Sequence, residues 1–526
     1  MLELKNIHIT LTQTDRKLFD NFNFSLNAGE KAVIIGEEGN GKSTLIQMIY
    51  EPSLVEAYCE CSGQVIKKGT LAYLPQLFPA EYIDFTVGEY AGEAKEQPEL
   101  WSRLGLDYKA LADQSIRTLS GGEKIKIQLA KILMAQPDIL LLDEPTNDVD
   151  IETLTWLEGF IESCSQPVLF ISHDETLIER CANTIIHIEQ LVKKTRPKVS
   201  VARYSQLGKE GKEGKEGKED APYKQYIRSR ALAFDKQMQV AKKQRSDHSA
   251  QMKRVKRIQN KVEHAGRNVA KAERDSVGRK LKVKMQSVKA SEKRLKKEAD
   301  DFLEIPQMEE AILTKFDPNI RLATGKVVLD LHIPLLQTSR ILARDINLKV
   351  LGAEKIGIHG KNGAGKTTLL REIWAVLKDR KDIKTAYMPQ DYREVLDPAL
   401  SAIEFLAEDA KKESIQLVRT FLGSMKFTHG EMTGPISALS GGQRAKLLFL
   451  DMVLKKADVL ILDEPTRNFS PLSSPVIRET LKEFGGTLIS VSHDRKYLAE
   501  VCDRVYVLGA GGLVTEEVEG EISSVF

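Results

Sequence analysis

Two stretches of this sequence carry the residue types that hold a phosphate chain: Gly36-Glu37-Glu38-Gly39-Asn40-Gly41-Lys42-Ser43 and Gly360-Lys361-Asn362-Gly363-Ala364-Gly365-Lys366-Thr367. Glycines at 36, 39, 41 and at 360, 363, 365 let a loop wrap closely enough for backbone amides to face phosphate oxygens at a helix N-terminus. Lys42 and Lys366 would reach the β- and γ-phosphates, and the Ser43 and Thr367 hydroxyls would ligate magnesium. Thr44 and Thr368, next along, are expected to join the nucleotide contacts. A strand-like apolar run leads into each loop, Lys31-Ala32-Val33-Ile34-Ile35 and Lys355-Ile356-Gly357-Ile358-His359. That strand, loop and helix order is the context the phosphate-binding pattern requires. One match of this kind could be an accident of composition. Two at a repeat offset are not.

Further on, apolar strands end in Leu142-Asp143-Glu144-Pro145 and Leu462-Asp463-Glu464-Pro465. A buried strand that delivers two successive carboxylates to a phosphate site suits a division of labour: Asp143 and Asp463 hold hydrated Mg2+, while Glu144 and Glu464 polarise the attacking water. Leu119-Ser120-Gly121-Gly122-Glu123 and Leu439-Ser440-Gly441-Gly442-Gln443 precede helical patterns and again present amides and a hydroxyl at a helix start. Taken singly they read equally well as ordinary helix caps.

The elements that position these groups occur twice. Lys42 returns as Lys366 after 324 residues, and Ser120, Asp143 and His173 return as Ser440, Asp463 and His493 after 320. The chain is a tandem duplication. At 526 residues, with 42% apolar and 29% charged residues, it has room for several folded domains and the balance of a globular protein. No apolar run approaches the ~20 residues of a bilayer span. The amino terminus shows no secretory pattern, and five scattered cysteines suggest a reducing compartment rather than a disulfide framework, so a cytoplasmic location is expected. Cys59 and Cys61 form a lone pair, too few for a structural zinc.

Composition changes sharply between the copies. Four Gly-Lys-Glu triplets run from Gly208 to Glu219, a solvated linker pattern. From about Pro222 to Leu303 strong helix formers dominate and predict two long helices, the first to about Val262 and the second from an N-cap near Ser276 to before Pro306. The stretch 263–276 between them is the expected tip of a hairpin. From Ala221 to Asp300 there are 24 Lys and Arg against 8 Asp and Glu, a charge of +16 in a chain whose total is +2. The remainder must then carry 2 − 16 = −14. A solvated helical face normally mixes both signs, so the segregation points to a polyanion, RNA above all. No aromatic residue lies between Lys236 and Asp301, which favours phosphate contacts over base stacking.

The glycine-rich loops, Gln76 and Gln390, the Leu-Ser-Gly-Gly signatures, the Asp-Glu pairs and His173 and His493 stand in an order that resembles ATP-binding cassette proteins. The resemblance implies an α/β fold of two P-loop cassettes joined by a helical hairpin: a first cassette over 1–195, a linker over 196–315 and a second cassette over 316–526. It implies head-to-tail pairing, with nucleotide on Lys42 completed by Ser440, Gly441 and Gly442, and nucleotide on Lys366 completed by Ser120, Gly121 and Gly122. ATP and Mg2+ are the implied cofactors, with Gln76 and Gln390 at the metal and with Gln76, Gln390, His173 and His493 in hydrolysis. The second cassette places Phe469-Ser470 where the first keeps Val149-Asp150, so the two sites need not be equivalent. Neither cassette offers an aromatic residue at the usual adenine-stacking position.

Two fused cassettes around a basic helical linker, without a membrane domain, resemble the ABC-F branch, whose members act on ribosomes. About 75 residues between each P-loop and its signature leave no room for the extra arm of housekeeping members. Together with the stretch 464–471, this resembles the subgroup that protects bacterial ribosomes from drugs at the peptidyl transferase centre. The implied partner is the bacterial ribosome, with the hairpin entering by the tRNA exit site towards P-site tRNA, and the implied state is a monomer with an intramolecular cassette dimer. The alternatives are a housekeeping ABC-F translation factor, the ATPase subunit of a transporter, and a structural DNA-binding ATPase.

Overall fold

In the computed structural model, residues 1–92, 97–189, 198–203, 221–267, 274–300, 302, 316–338, 341–407 and 411–516 are described. In chain order the strands of the first half are β1 (Leu2–Leu11), β2 (Arg16–Leu26), β3 (Lys31–Ile35), β4 (Cys59–Lys67), β5 (Leu71–Leu74), β6 (Ile139–Asp143), β7 (Val168–Ile171), β8 (Thr184–Glu189) and β9 (Lys198–Arg203). Those of the second are β10 (Val327–Gln337), β11 (Ile341–Leu351), β12 (Lys355–His359), β13 (Thr385–Met388), β14 (Val459–Asp463), β15 (Thr487–Val491), β16 (Arg504–Gly509) and β17 (Gly512–Glu516).

Continuous apolar runs such as β3, β6, β14 and β15, buried along their whole length, are what a parallel sheet covered on both faces requires. They form two six-stranded sheets of matching order, β5-β6-β7-β3-β8-β9 and β13-β14-β15-β12-β16-β17. Each is parallel except for its last, antiparallel strand. A smaller antiparallel layer, β2-β1-β4 in the first half and β10-β11 in the second, closes the apolar core of each. The order places β6, β7 and β3 side by side, so the carboxylates ending β6, the histidine after β7 and the loop after β3 leave the sheet at one edge. Ligands gather at that carboxyl edge of parallel strands.

Helix starts are treated in two ways. The helices Gly121–Met134 and Gly441–Leu454 each begin with a capping box, Ser120 with Glu123 and Ser440 with Gln443. The helices Lys42–Tyr50 and Lys366–Leu377 begin at Gly41 (φ 85°) and Gly365 (φ 100°) without a side-chain cap, which leaves their first amides for a ligand.

Two compact units are distinguished, Met1–Tyr223 with Glu309–Phe526, and Lys224–Met308. Both cassettes lie in the first. Its first sheet reaches Arg203, past the boundary expected at 195, because β9 pairs along β8 from Lys198 to Arg203. The alternation Val199-Ser200-Val201 was its sequence signal. The second unit consists of long helices, which run as Pro222–Arg267 and Arg274–Asp300. The first continues five residues past Val262, where a turn was expected. Gly266 costs a helix about 1 kcal/mol, and Gln259 Nε2 to Glu263 Oε1 (3.0 Å) supports this turn from one step back. Ser276 lies within the first turn of the second helix rather than capping it. Within this unit Ala241, Val262, Val288 and Leu295 are buried, and His248 Nε2 lies 3.1 Å from the Leu295 carbonyl. The rest of the expected tip, residues 268–273, and the Gly-Lys-Glu triplets lie outside the described residues.

Ile461, at the middle of β14 and fully buried, tests the core. Ile461→Ala should destabilise the cassettes by about 2–5 kcal/mol, read as a lower urea midpoint by circular dichroism.

Candidate nucleotide sites

The Lys42 ammonium is buried and donates to the carbonyls of Gly36 (2.9 Å) and Glu37 (3.2 Å), and Lys366 does the same with Gly360 (2.8 Å) and Lys361 (3.0 Å). Both lysines thus cross their own loops at the level where phosphate would lie. Gly36 and Gly360 sit at φ 150° and 149°, and a Cβ at either would come within 2.5 Å of a carbonyl oxygen, of Ile188 or Leu508. Gly39 and Gly363 also hold positive φ. Ser43 Oγ donates to Asp143 Oδ1 (2.9 Å), and Thr367 Oγ1 to Asp463 Oδ2 (2.7 Å). These paired hydroxyl and carboxylate oxygens are the hard donors a divalent cation such as Mg2+ takes. Burial pushes Asp143 up to about 6 and raises Asp463. A cation in place of the hydroxyl hydrogen would reverse that shift. Thr44 stands beside the Tyr58 hydroxyl, which donates to Gln47 Oε1 (3.0 Å), whereas Thr368 lines the second site.

Glu144 and Glu464 follow directly, both in the left-handed region (φ 48° and 53°), with backbone amides donating to the carbonyls of Ile171 and Val491. Their side chains differ. His173 Nε2 stands 2.9 Å from Glu144 Oε1, and its Nδ1 lies 2.8 Å from the carbonyl of Phe469 in the other half. Burial alone would raise Glu144, but the His173 imidazole outweighs it and holds the carboxyl below its ordinary value. Glu144 Oε2 is buried with no hydrogen-bond partner among the described residues, a position suited to a water. In the second half His493 Nε2 is 3.9 Å from Glu464 Oε1. Burial, reinforced by Asp463, lifts Glu464 to about 8, and burial with the nearby Lys366 lowers His493 to about 3.

The signature of each half meets the phosphate loop of the other. A cavity of about 540 Å³ is lined by Lys366, Thr367, Gln390, Asp463, Glu464 and His493 from the second half and by Gly121 and Asp148 from the first. Asn362 Nδ2 donates to the Asp148 carbonyl across the seam (2.6 Å), and Arg467 pairs with the Asp148 carboxylate (2.9 Å). A Cβ on Gly121 would come within 2.2 Å of the Asp148 carbonyl, and one on Gly122 within 2.4 Å of Thr153 Oγ1. Gln76 is exposed in the loop after β5. Ser120 and Ser440 spend their side chains on their own helix caps.

Glu37 and Glu38 belong to no motif shared by the two halves; they stand where the second loop has Lys361 and Asn362. Glu38 Oε2 accepts from the Gly442 amide. Glu37 accepts from Ser473 Oγ (2.7 Å), from Ser470 Oγ (3.4 Å) and from Lys446 Nζ (3.3 Å). The unusual segment Phe469-Ser470 thereby finds its complement: its serines receive a carboxylate of the first loop. Two carboxylates thus occupy the face of the Lys42 site that a γ-phosphate would approach. The contrast between the two loops, acid-acid against base-amide, was the available signal.

Paired P-loops, carboxylate edges and crossed signatures define a class by its fold, two α/β P-loop cassettes of the ATP-binding cassette type in tandem. The family profile described as ABC transporter matches residues 19–147 and 343–467. Within that class the chain is similar to ABC transporter F family member 2 of Arabidopsis thaliana, 29% identical over 425 residues, 79% of this chain and 56% of that protein. The chain thus spans little more than half of that relative's length. It is 28% identical to the ribosome protection protein VmlR of Bacillus subtilis (strain 168) over 96% of this chain and 87% of that protein. Among solved structures it superposes on an RNase-L inhibitor with a TM-score of 0.58 at 15% identity, covering 98% of this chain and 91% of that one. This last likeness is one of fold.

Two outcomes follow from the asymmetry. In a Glu144→Gln chain the remaining acceptor is Glu464, ionised only above its raised value, so steady-state ATPase should climb with pH through about 8. In Glu464→Gln the remaining Glu144 is already ionised, so the profile should stay nearly level between about pH 6 and 9. Second, Glu38→Asn, made with Lys366→Ala to silence the other site, should tighten binding of a fluorescent ATP analogue about five- to tenfold by removing a like charge.

Proposed function

We propose that the chain is a cytoplasmic, ATP-dependent ribosome-binding protein of the ABC-F family, which protects the bacterial ribosome from antibiotics at the peptidyl transferase centre. The observation that carries this reading is the concentration of +16 on residues 221–300, whose two long helices lie in the sequence between halves that together carry the opposite sign. Such a segment neutralises phosphates and draws affinity from released counterions. The similarity to VmlR along nearly the whole chain supports the ribosome as the source of those phosphates, specifically rRNA near the tRNA exit site and P-site tRNA. The drugs displaced would be of lincosamide, pleuromutilin or streptogramin A type.

In this mechanism Lys42 with Gly36, Gly39 and Gly41, and Lys366 with Gly360, Gly363 and Gly365, hold the phosphates of ATP. Ser43, Asp143 and Gln76, and Thr367, Asp463 and Gln390, would hold Mg2+, which supplies charge neutralisation on the β- and γ-oxygens. Glu144 and Glu464 orient and deprotonate the attacking water, and His173 and His493 fix each site from the strand beside it. Closure brings Ser440, Gly441 and Gly442 onto the nucleotide at Lys42 and Ser120, Gly121 and Gly122 onto that at Lys366. The closed monomer binds the ribosome, and hydrolysis releases it.

Glu144→Gln combined with Glu464→Gln should bind ATP without hydrolysis and co-sediment with ribosomes. Absence of ATP-dependent co-sedimentation would sink the ribosomal reading. A susceptibility panel in cells with and without the gene should show raised inhibitory concentrations for at least one of the three drug classes. Ribosome trapping with unchanged susceptibility would instead identify a housekeeping translation factor.

A further inference from the structure

Away from the phosphate loops, the two halves meet at a buried cluster of charge. Glu158, on the helix Ile151–Ser163, is held by Arg495, which caps its carboxylate with both terminal nitrogens, and by Arg180 Nη1 (2.7 Å). Glu175, on the helix Glu175–Cys181, is held by Arg478 Nη1 (2.7 Å) and Nη2 (3.3 Å) and by Lys496 Nζ (3.1 Å). Lys496 also bonds Glu179, and Arg478 Nε bonds Glu500 (2.7 Å). Glu158, Glu175, Arg478 and Arg495 are 2%, 8%, 3% and 4% exposed, so none of these charges is relieved by water.

The duplication makes the pattern legible. Residues 320 apart are equivalent, and three equivalent pairs of this cluster are inverted in sign, Glu158 and Arg478, Glu175 and Arg495, Arg180 and Glu500, whereas Lys496 and Glu179 have the neutral counterparts Thr176 and Ala499. Across the seam Glu158 meets the counterpart of Glu175, and Glu175 meets the counterpart of Glu158. An interface of two equivalent surfaces is self-complementary, so position 158 of one faces position 175 of the other, twice. Two first halves paired in this way would set Glu158 against Glu175, and two second halves Arg478 against Arg495. Only first with second gives acid against base at both contacts.

We infer that this cluster is a pairing surface that accepts the opposite half of the chain and rejects a copy of itself, and so commits the cassettes to the mixed dimer that completes both nucleotide sites. A buried ion pair adds little net stability against an apolar pair of the same shape, whereas a buried like-charge contact is strongly opposed. Discrimination between partners is therefore what these residues supply best. Asp174 and Asp494, which cap the helices bearing Glu175 and Arg495, join the same field, with Asp174 3.8 Å from Arg495. His173 and His493 are the residues just before them. The surface that selects the partner thus adjoins both hydrolytic centres.

Three full-length variants test this. Arg478→Glu with Arg495→Glu and Glu500→Arg gives the second half the charges of the first. Glu158→Arg with Glu175→Arg and Arg180→Glu does the reverse. Each builds a like-against-like contact inside one chain and should lower ATPase at least about tenfold. All six substitutions together restore acid against base at both contacts, while Lys496 then meets an arginine at 175 and Asp174 a glutamate at 495; ATPase should rise at least about threefold above either triple variant, with a higher melting temperature and a monomeric mass by light scattering. Full ATPase in either triple variant would overturn the inference. So would a sixfold variant no more active or stable than the triples, an outcome that would mark the residues as fixed packing rather than a code of charge.

Discussion

Both candidate nucleotide sites lie on a seam between two halves of one chain, and the constraint on everything else is that charge must be buried there. Lys42 and Lys366, Asp143 and Asp463, and Glu144 are buried, and the Glu464 side chain is 13% exposed. Each half presents its lysine, hydroxyl and carboxylates at the carboxyl edge of a parallel sheet but lacks the amides that would face the outer phosphate. Those come from the other half, beside Gly442 and Gly121. The sheets therefore do more than support loops. Their register fixes how far Asp143 and Asp463 stand from the loops after β3 and β12, and the helices behind them carry the charges that select the partner.

The seam is nearly symmetric in backbone and asymmetric in chemistry. On one side Asn362 spans to the Asp148 backbone next to an open cavity. On the other, Glu37 and Glu38 are engaged by Ser473, Ser470, Lys446 and the Gly442 amide. His173 bridges Glu144 to the opposite half through the Phe469 carbonyl, while His493 meets its glutamate through the backbone amide (3.2 Å) and keeps its imidazole at 3.9 Å. The same aspartate, histidine and lysine surround each glutamate, but the closer approach of His173 holds Glu144 below its ordinary value against its burial, while burial and Asp463 raise Glu464. The two sites have the means to turn over at different rates in one molecule.

Chemistry that depends on neighbours along the chain is legible in the amino-acid order alone. Loop, hydroxyl and carboxylate motifs are local, and the repeat offset removes accident as an explanation. The fold class followed from the family resemblance those motifs carry, and the fully apolar short runs 139–142 and 459–462 agree with it by forming buried parallel strands. What escaped were relations between distant residues. Ser470 was visible as a departure, but its purpose depends on Glu37, more than four hundred positions away. The inverted charges at 158, 175, 180 and their counterparts were equally present in the sequence, yet they acquire meaning only because the helices that carry them face each other. Extents differ for local reasons: β9 pairs along β8 as far as Arg203, and the first long helix carries Gly266 in its last turn.

Glu144 and Glu464 share one more property, a left-handed backbone. An ordinary side chain there is strained by about 1 kcal/mol or more, and only glycine would be at ease. Drift at these two codons therefore has a direction. The substitution that would best relax the backbone, to glycine, would also remove the carboxylate that stands beside each phosphate loop, and at Glu144 the contact with His173. Backbone ease alone therefore favours losing these two carboxylates, and whatever retains them acts against it.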